Sequence, residues 1–280
     1  AAGQYVIGVG TCLFLALKFD MPWYICLPAA MLAAAIVGGI SGALKAYFNV
    51  NEVISCIMLN WIGLYCVNML LTKVKEQSTP YTKTLESTNS SALLPNAGLD
   101  KMFSNNEFVT IGVILSVVMA VLVWIVLDKT KFGYELKATG MNKNAAKYCG
   151  MKEKKNIIVT MMIAGGLAGM GAGIFYLSGI EQWMVQMTSV PAMGFNGIAA
   201  AFLGGLNPIG TIFSSYFIQH ITSGGSYVDK SMYCTQISDL MIAFIIYLCG
   251  FVLFFKLWLN RYLDRRDEKL AAKTEKGGEA

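Results

Sequence analysis

The sequence is poor in charge and nearly devoid of histidine. Asp, Glu, Lys and Arg make up 14% of its 280 residues, against about a quarter in an ordinary soluble domain, and His220 is the single histidine. No H-E-x-x-H, C-x-x-C or G-x-S-x-G pattern occurs, nor does the phosphate-cradling G-x-x-x-x-G-K-[ST] loop. No catalytic constellation is therefore visible, and the chain by itself has no P-loop with which to bind ATP. Seven cysteines lie mostly inside apolar stretches without metal-ligand spacing, which fits thiols packed in a membrane interior. Alternation of apolar and polar residues over about ten positions, the mark of a transmembrane strand, is absent as well. The chain opens Ala1-Ala2-Gly3-Gln4, with neither methionine nor the charged start and cleavage site of a signal peptide. A truncated start is the expectation, with the first apolar block the remainder of a longer or broken helix.

What the sequence does have is apolar length. Hydrophobic residues make up 55% and the mean hydropathy is +0.54. They fall into eight blocks, 5–17, 23–44, 53–72, 109–127, 157–180, 190–206, 209–228 and 237–259, most of them near the roughly 20 residues that carry a helix across the hydrocarbon core. The predicted fold is an all-α integral membrane bundle of about eight spans. Residues 1–263 form the transmembrane domain and 264–280 a charged tail.

Orientation follows from lysine and arginine. Placing loop 128–156 in the cytoplasm puts sixteen basic residues inside and six outside, the positive-inside pattern. The tail is then cytoplasmic and loop 73–108 extracytoplasmic, either a flexible connector or a docking surface. Trp23, Trp124, Trp183 and Trp258 fall near span ends, where headgroup-level rings are expected. Trp61 is mid-span, beside Asn60.

Several spans carry unusual features. Gly165, Gly169 and Gly173 recur every four residues on 157–180, a ridge that lets helices approach closely, within the chain or between subunits. The stretch 194–210 is broken by glycines, by Asn196 and by Asn207-Pro208, as in discontinuous transporter helices. The Gly3–Gly10 segment is punctuated in the same way and runs in the opposite direction, which raises an inverted repeat. Cys56, Asn60, Gly63 and Val67 share one face of their span. Asn60, Trp61, Phe195, Asn196, Gln219 and His220 are the candidates for lining a pathway, with interhelical hydrogen bonding as the other reading of the polar ones. No carboxylate lies deep in a span, which disfavours an ion-coupled secondary transporter. A membrane-embedded enzyme would need a cluster of His, Asp or Glu, and there is none.

Within the cytoplasmic loop, Asn142 is a fitting N-cap, Ala145 and Ala146 are good helix formers, and Gly150 suits the residue after the C-cap. A helix of about two turns is expected there, as a lipid-surface helix or one seated in a partner's groove. Its setting, with Gly133, Leu136, Ala138, Gly140, Asn142, Ala145, Ala146 and Gly150, resembles the coupling loop of ABC importer permeases of the ribose and branched-chain amino-acid superfamily. Asn51 to Trp61 looks like the N-E-V-I-S-x-I-M-L-N signature of the nucleoside/simple-sugar branch. Gly197 to Gly204, with Asn207-Pro208-Ile209-Gly210, resembles that branch's G-I-A-V-A-L-L-G…N-P-x-G segment. The resemblance implies a bacterial cytoplasmic-membrane permease importing nucleosides, or else a simple sugar such as ribose, by alternating access. It also implies a second permease subunit, an extracytoplasmic binding lipoprotein, and ATPase subunits that dock on the coupling loop and hold ATP and magnesium. This chain itself would bind no cofactor or metal.

Overall fold

Helices follow the apolar blocks because a backbone in hydrocarbon must satisfy its own hydrogen bonds. A computed structural model describes residues 2–96, 98, 109–191 and 193–225, with scattered positions from Tyr227 to Leu259. About half of the span expected at 237–259, and all of the tail at 264–280, therefore lie outside the described residues. The chain divides into two compact units, Ala1–Gly194 and Phe195–Ala280.

The first unit holds α1 (Ala2–Lys18), α2 (Trp23–Phe48), α3 (Glu52–Leu71), the single turn α4 (Leu85–Thr88), α5 (Gly112–Lys129), α6 (Lys131–Met141), α7 (Lys143–Tyr148) and α8 (Glu153–Leu177). Among the described residues four helices are long and apolar enough to cross a membrane: α2, α3 with its 3-10 extension to Val74, α5 and α8; α1 is apolar but shorter. The turn from α2 to α3 is local chemistry. Asn49 takes a left-handed conformation that ends α2, and the Asn51 side chain accepts from the backbone N of Val53 to start α3. Lys45 and Glu52 pair across the turn.

α1 sits among α2, α3 and α8. Its contacts with α3 pair Gly3 with Asn60 and Gly10 with Val67, so the two helices run parallel. The face shared by Asn60, Gly63 and Val67 is turned onto α1, with Gly63 against Ile7. α2 and α8 run antiparallel along the small-residue ridge. A Cβ added at Gly165 or Gly169 would stand 2.6 Å from the carbonyl oxygens of Ala34 and Ala30 respectively, and one added at Gly173 2.7 Å from Leu27. The opposite edge of the ridge meets α1, where a Cβ on Gly8 would lie 2.6 Å from Gly169 Cα. Lipid gives no hydrophobic drive between helices, so close backbone packing of this kind supplies much of the cohesion. By contrast, α5 is apolar all round and buries only Gly112.

Residues 72–96 and 178–191 form an ordered cap at the end of α8 away from α6 and α7. Backbone bridges join Lys75 to Thr82 and Tyr81 to Met184. Asn89 donates to the carbonyls of Ala16 and Met21 at 3.0 and 3.2 Å. Trp183 is fully buried, and its indole N–H donates to Asn68 Oδ1 at 3.1 Å. A buried indole must place its N–H, and Asn68 offers the acceptor while its own amide donates to Met187 O at 2.9 Å.

The second unit opens with α9, whose bounds are Met193–Leu203, followed by α10 (Pro208–Gly224). The two form a hairpin. Gly205 and Leu206 turn at positive φ, Asn207 caps α10 by accepting from Ile209 N at 3.0 Å, and Ser214 donates to Ala200 O. Eleven residues of α9 extend only about 16 Å, short of the hydrocarbon thickness. The break predicted at Asn207-Pro208 is thus a hairpin turn.

Candidate functional site

Two places in the first unit gather the features that the sequence singles out. The first is a pocket at the depth of Asn60, lined by Gly3, Gln4, Ser41, Cys56, Leu59 and Asn60. Asn60 Oδ1 accepts from Gly3 N at 2.8 Å, so its carbonyl ties α3 to α1 while the residue also borders the pocket. Ser41 donates to Gly38 O in its own helix. Gln4, on the pocket wall, is largely buried. Room for it comes from the glycines. A Cβ at Gly38 would stand 3.0 Å from Gln4 Nε2, and one at Gly165 would stand 3.3 Å from its Cδ. Gln4 falls within the Gly-punctuated Gly3–Gly10 segment, yet it was not among the residues expected to line a pathway.

Trp61 lies on a different face of α3 from Asn60. It is 40% exposed and stacks on Tyr65 with ring centroids 6.2 Å apart. The other pathway candidates belong to the second unit. Phe195 is in α9, Asn196 is half-buried on the same helix, and Gln219 and His220 are exposed on α10, where His220 stacks on Tyr216 at 5.7 Å.

The second place is the α6–α7 elbow. Asn142 accepts from the backbone N–H groups of Asn144 and Ala145 at 3.0 and 3.1 Å, capping α7. At its other end Gly150, with φ of +79°, donates to Lys147 O while Met151 N donates to Ala146 O, the paired arrangement of a Schellman stop. α6 is an addition that the sequence concealed, since Gly133 and Gly140 read as loop. Thr130 caps it by accepting from Gly133 N at 3.1 Å. Gly133 is buried where a Cβ would lie 2.6 Å from Leu127 Cα, so α6 folds tightly back on the end of α5. Lys137 pairs with Asp128, and Asn156 of α8 donates to Thr139 Oγ1 at 3.0 Å. The elbow is thus fastened to both α5 and α8. Of the remaining motif residues, Ala146 is buried, Leu136 and Ala138 are half-buried, and Gly140, Asn142, Ala145 and Gly150 are exposed. Met141 and Tyr148 project beside them, 89% and 93% exposed. No group of three or more potential metal ligands occurs among the described residues.

Comparison with known proteins agrees with this architecture. The chain is 32% identical to the guanosine ABC transporter permease protein NupP of Bacillus subtilis, over 87% of this chain and 70% of NupP. It is 30% identical to the nucleoside ABC transporter permease protein NupB of Lactococcus lactis, over 88% of this chain and 69% of NupB. The glucose ABC transporter permease protein TsgB13 of Haloferax volcanii is 27% identical over 82% of this chain and 62% of its own length. No solved structure matches. The family model described as the permease component of branched-chain amino acid transport systems matches residues 1–250, and this multi-pass membrane chain belongs to that family of ABC transporter permeases.

Proposed function

We propose that the chain is the permease subunit of an ATP-driven importer that carries nucleosides across the bacterial cytoplasmic membrane. The observation that carries the substrate class is similarity over nearly nine-tenths of the chain to relatives named for guanosine and nucleosides, at higher identity than to the glucose permease. In this reading Gln4 joins Asn60, Trp61, Phe195, Asn196, Gln219 and His220 along the pathway.

The elbow α6–α7 is the seat for a partner ATPase. Met141 and Tyr148 supply exposed apolar anchors on either side of the Asn142 cap. Because Gly133 and Thr139 fasten the elbow to α5 and α8, a push on it moves whole spans, as alternating access requires. ATP and magnesium belong to that partner. A second permease subunit completes the pathway, and an extracytoplasmic binding lipoprotein delivers solute to the cap formed by 72–96 and 178–191. The full arrangement has eight spans with the C-terminus in the cytoplasm, and the Gly-broken segments around α1 and α9–α10 form an inverted pair.

Purification of the tagged full-length protein in mild detergent, followed by mass spectrometry, tests the assembly. A P-loop ATPase, a second permease and a lipoprotein are the expected companions. Recovery of the chain alone, active in liposomes without ATP, would overturn the reading.

A further inference from the structure

α5 and α8 are held in opposite ways. A Cβ added at Gly42 of α2 would lie 3.0 Å from Ile158 Cα, and the Lys154 ammonium sits over the Tyr47 ring, 5.1 Å from its centroid. The first turns of α8 are therefore tied to α2 even before the Gly165–Gly173 ridge begins. α5 buries only Gly112, at its end remote from the elbow, where an added Cβ would stand 2.5 Å from Ile174 of α8. Its other end runs through Thr130 straight into α6, with Gly133 packed on the backbone of Val126 and Leu127. α5 and α6 thus form one arm, which meets α8 near Gly112 and again where α6 reaches it.

At that second meeting Asn156, 4% exposed, donates its amide to Thr139 Oγ1 at 3.0 Å. Thr139, 8% exposed, donates its own proton back to Glu135 O at 2.7 Å. Its hydroxyl proton is thus committed within α6, and Asn156 meets it as the acceptor. Apolar contact is non-directional and lets surfaces slide or part. A hydrogen bond weakens steeply once bent, so it fixes register as well as spacing. The covalent link from α7 to α8 turns at Gly150, where φ is +79° and an added Cβ would meet nothing within 4 Å, so packing does not stiffen that side. We propose that Asn156 is the positioning residue that joins the elbow to the bundle. Its bond to Thr139 makes α8 follow α6 in both directions of the stroke, and α8 carries α2 and α1 with it. This role rests on the ATP-driven reading, and it makes Asn156 the point at which the partner's ATP hydrolysis becomes movement of the bundle.

The test uses the full-length permease with its copurified ATPase and permease partners in liposomes, with the binding lipoprotein outside. Guanosine carried per ATP hydrolysed should fall about fivefold in Asn156→Leu and in Thr139→Val, and be kept in Thr139→Ser, which retains the hydroxyl. The double variant Thr139→Val/Asn156→Leu separates positioning from stability. Replacing both partners by apolar groups of similar shape leaves no unpaired polar atom and is nearly neutral, so it should melt with the wild type yet stay uncoupled. A ratio restored in the double variant, or unchanged in the single ones, would overturn the joint. A second readout, hydrogen exchange in nanodiscs with and without vanadate-trapped nucleotide, needs no solute. Trapping should change exchange over both 131–148 and 153–160 in the wild type, but over 131–148 alone in the double variant. A change that reaches 153–160 equally in both would overturn the joint. Failure of the wild type to accumulate guanosine would overturn the nucleoside reading alone, and the exchange readout then decides the joint. Absence of any copurified ATPase would overturn both.

Discussion

Replacing Gly169 by alanine should loosen the bundle, whereas the same change two residues later should not. At Gly169 the new methyl would stand 2.5 Å from Ala34 Cβ and 2.6 Å from Ala30 O, and α1 closes the site from the other side through Gly8. Neither a backbone oxygen nor a helix-borne methyl can rotate away, so α2 must shift. Overpacking of this kind costs about 1–3 kcal/mol. Gly171, on the same helix, is exposed with nothing within 4 Å of an added Cβ, and there alanine gains up to about 1 kcal/mol from helix propensity alone. Allowing the same gain at Gly169, the two variants should differ by about 2 kcal/mol, some 30-fold in the unfolding equilibrium. The chain supplies its own probe. Cys12 and Cys26 are buried, whereas Cys66, Cys149 and Cys234 are exposed. A thiol-reactive fluorophore added to the purified full-length protein should therefore label the exposed thiols at once and the buried pair only on unfolding. During a thermal ramp, the slow phase should come earlier in Gly169→Ala than in wild type, and no earlier in Gly171→Ala. Coincident slow phases in the two variants would refute the packing argument.

Other perturbations separate roles in the two sites. Asn142→Ala removes the acceptor for two N–H groups and should cost α7 about 1 kcal/mol, seen as roughly fivefold faster hydrogen exchange over 143–148. Gly133→Val drives a side chain into the backbone of Val126 and Leu127 and should abolish ATP-coupled uptake while the protein still inserts, measured by uptake and membrane immunoblotting. Gln4→Leu should change nucleoside uptake kinetics with little change in the thiol melting curve. Asn60→Leu should change uptake as well and also lower the melting curve modestly, because it removes the bond from Gly3 N and the measured average for an interhelical membrane hydrogen bond is about 0.6 kcal/mol.

Much of the helical framework was legible because lipid enforces a simple rule. Apolar runs at 23–44, 53–72, 109–127 and 157–180 became α2, α3, α5 and α8, with ends displaced by a few residues in either direction. Helix ends in the loop were equally readable, because Asn142 and Gly150 carry their capping chemistry in their side chain and backbone freedom. What escaped is tertiary. Gly133 and Gly140 look like breakers, and only contact with α5 shows that Gly133 lies inside a helix because no larger residue fits. Trp183 was assigned by its place near a span end, but its burial depends on Asn68, more than a hundred residues away. Thr82 has no motif at all, and stands out only because the fold buries its hydroxyl and leaves it without a partner.

Reconstitution measures the central claim most directly. Liposomes holding the full-length permease with its copurified partner subunits, ATP trapped inside and the binding lipoprotein outside, should accumulate labelled guanosine or uridine. Accumulation should cease when ATP is omitted or vanadate is added, and should be indifferent to a protonophore. Accumulation that persists without ATP and collapses with the protonophore would contradict the account.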